Sequence, residues 1–278
     1  MEMDRRKLLL SLAGFATAYA AAVALPSVWP AVRELSSDSA VPRFNRVPIL
    51  CFHNLNGTGR YSISSATFRH FMRRLREEKV SVIALADLTE KAKRNQLLGR
   101  PSIVITVDDD YEGAVRVAAP ILREYDYPAT FFVYTAGIQD DPQSGMSWED
   151  LRRLLKEGFD IQNHSHTHTA FHVPKPGERD WEYARRLDTE IDLSRSILEE
   201  QLMGHKITQF AYPMGYHTPG LRDRVFQSRY DLVVTTDGRP VDLTRPFTGS
   251  FDRRTIELEG GIAEQIFAQA IEIAKKPL

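Results

Sequence analysis

Five residues near the middle of the chain, His164-Ser165-His166-Thr167-His168, hold three of its eight histidines. In one helical turn His164 and His168 share a face at i, i+4 and can grip a single metal ion. In an extended segment His164, His166 and His168 share a face instead. Neutral imidazoles joined by a carboxylate suit a divalent ion such as zinc, with positions left open for water and substrate. Carboxylates stand together at Asp108-Asp109-Asp110. Three adjacent acids repel one another unless a cation or a proton intervenes. The same run also reads as a solvated turn capping the helix after it. His53 and the stretch Tyr212-Pro213-Met214-Gly215 complete the candidate groups. The one cysteine, Cys51, excludes an internal disulfide framework and a cysteine-rich zinc site.

Each group closes an apolar run, and the runs imply the scaffold. Strands are predicted over 47–53, 80–85, 102–108, 129–134, 159–163, 208–212 and 230–236, seven in all. Helices are predicted between them: from Ser64 or Ser65 to about Lys79, then 86–95, 113–125, a capping-box start at Ser147 with Asp150, a long polar helix over 178–203, and 218–229. A final helix covers 262–275. Strands that alternate with helices form parallel βα units. Seven of them point to a barrel rather than an open sheet. In such folds the strand C-termini share one rim, where active sites sit. The four polar groups can therefore converge although they lie far apart in sequence.

The composition of the 278 residues agrees. Apolar residues make up 42% and aromatics 10%, enough for a packed core and too much for a disordered or collagenous chain. A net charge of -1 argues against nucleic acid as the partner. Residues 1–25 have a basic start (Arg5, Arg6, Lys7), an apolar stretch to Leu25, and small-residue cleavage sites after Ala20 or Ala24. That is the layout of a bacterial export signal, and Arg5-Arg6 resembles a twin-arginine one. An uncleaved inner-membrane anchor is the alternative, since the apolar stretch nears the roughly 18–20 residues that a span needs. The expected organisation is an export signal or anchor over 1–25, a linker over 26–45, and one domain over 46–278, a monomer in the periplasm or cell envelope.

The runs I-T-V-D-D-D-Y (105–111), N-H-S-H-T-H (163–168) and F-A-Y-P-M-G (210–215) resemble the polysaccharide deacetylase family with the NodB homology domain. The likeness spans about residues 47–236 in the family's order. It implies a distorted (β/α)7 barrel and a metal-dependent enzyme that removes acetyl groups from N-acetylated sugars. By position, Asp108 is the general base, and Asp109, His164 and His168 hold the metal. Zinc is the first expectation, with cobalt, nickel or iron also admitted. Tyr212 and Met214 fall at the oxyanion and substrate position, with a backbone N–H of Met214 as donor. The chemistry is coherent: a divalent ion acidifies a water, a carboxylate takes its proton, and the nucleophile attacks the amide carbonyl.

Departures from the pattern matter. Asp110 stands where the family usually has Gly, Ala211 where many members have an Arg that orients the base, and Met214 where they have Tyr. No C-terminal L-x-x-H supplies an acid histidine. The subgroup that deacetylates poly-β-1,6-N-acetylglucosamine resembles this chain in F-A-Y-P and in an N-terminal P-x-L-x-[FY]-H strand, which makes His53 the acid. Cys51 reads as a buried apolar residue, and His172 and His217 as solvated loop residues. Tyr61, Tyr111, Trp148 and Trp181 are either sugar-stacking or core aromatics. The expected function is N-deacetylation of an N-acetylhexosamine polysaccharide. The competing readings are a degenerate carbohydrate-binding protein on the same barrel and a non-haem iron oxygenase built on two His and one carboxylate.

Overall fold

The computed structural model describes residues 42–109, 111–138 and 146–278. The predicted signal and most of the predicted linker lie outside them, as does Asp110. Contacts gather Val41–Leu278 into one unit. No helix among the described residues is long and apolar enough to cross a membrane.

Among the described residues eleven strands follow in chain order: β1 Arg46–Val47, β2 Ile49–Phe52, β3 Ser81–Val82, β4 Ser102–Asp108, β5 Thr130–Val133, β6 Asp160–Asn163, β7 Gln209–Ala211, β8 Leu232–Thr235, β9 Val241–Asp242, β10 Ser250–Asp252 and β11 Arg254–Thr255. Their main sheet runs β10-β8-β7-β6-β5-β4-β2-β11. Every neighbouring pair on that path is parallel. The two end strands are one stretch of chain interrupted only at Arg253. Phe251 pairs with Val234 on one edge and Thr255 with Cys51 on the other, so residues 250–255 close the sheet into a barrel. The predicted barrel class holds. The membership changes, because the stretch 80–85 yields only β3, which flanks β4 off the path, and 250–255 takes its place.

Alternation along β4 sorts the core into two layers. Ile103, Ile105 and Val107 face the helices, within one large cluster. Val104 faces the barrel interior with Ile49, Phe132, Ala211, Leu232, Val234 and Phe251. Thr106 and Asp108 continue that inward row and are buried. Leu85 and Leu88 fill the interior's lower end, beside the antiparallel pair β1–β9.

The helices form for local reasons. In α1 (Ser65–Glu77), Ser64 caps the first turn by accepting from Thr67 N, and Phe68, Phe71, Met72 and Leu75 make the buried face. Next come α2 (Leu85–Lys93) and α3 (Ala119–Glu124), the latter entered through a π-helical turn, Ala114–Ala118. The expected capping box opens α4 (Trp148–Lys156), with Ser147 and Asp150 bonded in both directions. The long polar helix is interrupted: α5 (Asp180–Leu187) and α6 (Ser194–Gln201) flank a π-helical turn, Asp188–Leu193. After α7 (Pro219–Gln227), α8 (Gly261–Lys275) stacks Phe267 on Phe71 at a centroid distance of 4.1 Å.

Candidate active site

The C-terminal ends of β2, β4, β6 and β7 bring the predicted groups together. Asp108 ends β4 and points inward. Successive strand residues normally face opposite sides, yet Asp109 also turns in, because its φ of 74° reverses the alternation. Its N–H donates to Phe132 O at 3.0 Å, which fixes that turn. Asp109 Oδ1 lies 3.1 Å from His168 Nε2 and 3.6 Å from His164 Nε2. One ligand atom from each of Asp109, His164 and His168 falls within 4.8 Å of the others.

His164 is held in one tautomer. Its Nδ1 lies 2.8 Å from Ala211 O, and a carbonyl only accepts, so Nδ1 carries the proton and Nε2 offers its lone pair to the cluster. Burial lowers the imidazole's pKa, against the pull of Asp108 and Asp109, and keeps the ring neutral.

The histidine loop is neither helical nor extended. Ser165 and His168 have φ of 78° and 57°, and the two rings meet at 4.8 Å, inclined at 62°. His166 leaves the cluster, its Nδ1 2.6 Å from Thr135 Oγ1, so the three-histidine alternative fails. Two buried side chains shape the loop. Asn163 accepts from Ser165 N at 2.8 Å while its amide donates to Ser194 Oγ and Tyr230 Oη. Glu190, inside the π-helical turn, accepts from His166 N, Thr167 N and Thr167 Oγ1 at 3.0, 2.9 and 2.5 Å. The sequence reading missed Glu190. Its signal was an acid at the helical spacing of buried Leu187, Ile191 and Ser194.

Arg253 was also missed. It sits between β10 and β11, wholly buried, and its guanidinium donates to both oxygens of Asp108 at 2.5 and 2.6 Å. Further bonds reach Thr106 Oγ1 and Thr235 O, and the guanidinium lies over the Phe132 ring. Burial alone would raise the Asp108 pKa, but Arg253 and His164 outweigh it and hold the carboxyl far below the usual carboxylate range. The Ala211 departure thus leaves Asp108 with an arginine from the junction of β10 and β11. Its only sequence signal was the short alternation in S-F-D-R-R-T.

His53 follows β2 on the inward row, after Cys51. The Cys51 thiol is 3.9 Å from His53 Nε2, and burial pushes that thiol well above its ordinary pKa. His53 Nδ1 is buried without a hydrogen-bond partner among the described residues, and burial lowers the ring's pKa against the pull of Asp108 and Asp109. Tyr61 covers the ring from outside at 5.1 Å. Tyr212 is buried, with its hydroxyl unpartnered among the described residues, and its ring stacks on His217 at 5.6 Å. Met214 takes φ 58° in the turn after it and stays exposed. His217, expected to be solvated, is exposed with its ring against Tyr212, and His172 is half-buried against Tyr216. Trp148 joins the core, while Tyr61, Tyr111 and Trp181 are exposed.

The donor set fits a divalent ion. A buried carboxylate oxygen, Asp109 Oδ1, accepts no hydrogen bond among the described residues and faces two imidazole nitrogens. An ionised carboxylate, Asp108, stands beside them as a proton acceptor, with His164 Nε2 at 3.7 Å.

Comparison with known proteins gives the same direction. Residues 96–233 match the profile of a family described as polysaccharide deacetylase. Over 230 residues the chain is 20% identical to Bacillus subtilis YxkH, which carries the provisional name of a polysaccharide deacetylase; the match covers 83% of this chain and 77% of that one. The structure of IcaB from Ammonifex degensii superposes with a TM-score of 0.69 at 21% identity, over 84% of this chain and 98% of that chain. Streptococcus pyogenes deacetylase PplD, solved with acetate, gives 0.67 at 22% identity, over 82% and 99%.

Proposed function

We infer from the profile match over residues 96–233 that the chain belongs to the polysaccharide deacetylase family, and from that premise we propose that it is a metal-dependent N-deacetylase of an N-acetylhexosamine polysaccharide. The observation that carries the reading is the pairing of two sites at one rim: the Asp109, His164 and His168 cluster, and an ionised Asp108 clamped beside it. Asp109, His164 and His168 would hold a divalent ion, with zinc the best match to one oxygen and two imidazole nitrogens. Bound there, the ion supplies Lewis acidity toward the amide carbonyl and the attacking water.

The remaining work falls to the chain. Asp108 accepts the water's proton; Arg253 keeps it ionised and aimed. The backbone at Met214 donates toward the developing oxyanion, and Tyr212 shapes the floor beneath it. His53 gives a proton to the sugar nitrogen as the C–N bond breaks, releasing acetate and a free amine. Tyr61 bounds that side of the pocket. With residues 1–25 as export signal or anchor, the enzyme acts in the periplasm or cell envelope, on glycans such as poly-N-acetylglucosamine.

The test is acetate release from β-1,6- and β-1,4-linked N-acetylglucosamine oligomers, with metal-depleted and zinc-reconstituted protein. Metal-dependent release that vanishes in Asp109→Asn, His164→Ala and His168→Ala, together with bound metal, is expected. Oligomer binding without release, at full metal content, would favour the degenerate carbohydrate-binding reading. Oxygen consumption with iron would favour the oxygenase.

A further inference from the structure

Next to the turn that carries Met214, a cleft of about 630 Å³ opens between α7 and β10. It exists because no helix follows β8. The chain instead runs through 236–249 and pairs only the short β9 with β1. His217 joins the two regions: its ring stacks on Tyr212 and it also lines the cleft. Its Nδ1 is 2.9 Å from Gly215 O, so that nitrogen donates inward and Nε2 looks toward Asp237 at 3.9 Å.

The charges lining this cleft do not balance. Arg239 engages Asp252 at 2.6 Å and Asp237 at 3.6 Å, and Arg245 approaches Asp242 at 3.6 Å. Every carboxylate of the lining thus has a cation beside it. Two guanidinium groups remain, Arg46 and Arg222. Arg222 meets only its exposed sequence neighbour Asp223, at 3.8 Å, and its Nε is buried with no hydrogen-bond acceptor among the described residues. Arg46 has no ion pair among them. A guanidinium with a buried, unanswered N–H is matched best by an oxyanion that can take two parallel hydrogen bonds.

We propose that this cleft is a subsite for an acidic group on the glycan: the carboxylate of a hexuronic acid, or an ester phosphate, on a sugar near the reacting N-acetylhexosamine. The proposal rests on the deacetylase reading and sharpens it, from an N-acetylated polymer to an acidic one. The cleft volume lies in the range that holds a small ligand. The exposed Met214 and Tyr216 lie on the segment between the catalytic rim and His217, offering apolar surface for the sugars between the two sites.

The experiment is calorimetric titration of the zinc-loaded protein with three tetrasaccharides of equal length. One is N-acetylglucosamine alternating with glucuronic acid, one is neutral N-acetylglucosamine, and one is the neutral oligomer bearing a 6-phosphate. At low ionic strength at least one acidic oligomer should bind roughly tenfold or more tightly than the neutral one, and salt should narrow the gap. The two acidic arms tell carboxylate from phosphate. Arg222→Gln and Arg46→Gln should each reduce the preference and together abolish it. Neither side chain gives up a hydrogen bond to another described residue, and Arg46→Gln, on β1 rather than α7, checks Arg222→Gln independently. Equal affinities for all three oligomers would overturn the subsite, as would a preference that survives the double variant. Failure of the deacetylase reading looks different: no acetate is released from any oligomer, whatever the binding shows.

Discussion

Arg253 and Asp108 meet inside the barrel as a two-point pair, each terminal nitrogen of the guanidinium on one carboxylate oxygen, at 2.5 and 2.6 Å. The arginine lies on the segment that closes the ring, and the aspartate ends β4, which one strand, β2, separates from that segment. The pair fixes both the direction of the carboxylate and its charge.

Removing Arg253 should therefore damage stability and chemistry separately. Arg253→Ala leaves a buried carboxylate unpaired, which costs about 3–5 kcal/mol. Arg253→Lys restores the charge without the fork, so it should recover most of the stability and little of the rate. The acid limb of the rate profile should move to higher pH in Arg253→Lys, because the cation that depresses the Asp108 pKa is less well placed. Chemical denaturation and pH–rate curves on both variants decide this, and a wild-type profile in Arg253→Lys would reduce the arginine to packing.

Asp108 and His53 should separate by what they leave intact. Asp108→Asn and His53→Ala should each keep stoichiometric metal and lose about 10²–10⁴-fold in rate. His53→Ala should also lose the alkaline limb of the profile. If His53→Ala turns over normally and His217→Ala does not, the acid role passes to His217.

Glu190 bonds to His166 N, Thr167 N and Thr167 Oγ1, and so holds the loop that carries His164 and His168, two of the proposed ligands. Glu190→Gln replaces one accepting oxygen by a donor facing two backbone N–H groups. Zinc affinity should fall about 10–100-fold, the usual effect of losing such support. The readout is metal competition with a chromophoric chelator. Unchanged affinity would leave Glu190 a purely structural acid.

A pH effect on folding should come from His205. Its Nε2 lies 3.1 Å from Asp160 Oδ1, and that bond raises the imidazole's pKa above 6.5 despite partial burial. A raised folded pKa stabilises fully below the unfolded value and is lost as pH rises through the folded one. The melting-temperature gap between wild type and His205→Gln should thus be wide near pH 5 and shrink toward about pH 9. A gap independent of pH would show that the pair contributes through the neutral hydrogen bond alone.

The legible parts of the sequence were those with local periodicity. Strands 102–108 and 129–134 and the Ser147 capping box announce themselves within a few residues, and so did the Asp and His runs that end the strands. The illegible parts depend on distant partners. Residues 80–85 have the composition of a strand, but only two of them pair with β4 before α2 begins. The short β10 and β11 are strands because two sheet edges are waiting for them. Their pattern is too brief to read unaided, and Arg253 was hidden with it. The positive φ at Asp109 and Ser165, which turns adjacent side chains to one purpose, has no sequence signature in residues other than glycine.

The closing segment also orders events in time. Its edge partners are β2, near the start of the domain, and β8, near its end, so the ring cannot shut until almost the whole domain has left the ribosome. Contacts so distant in sequence form late and slowly. Until then Asp108 lacks its arginine, and a chain truncated before residue 253 cannot supply it. Closure of the barrel and the pairing of Asp108 are thereby one step, and on the proposed function an unfinished or partly opened barrel is silent toward glycans.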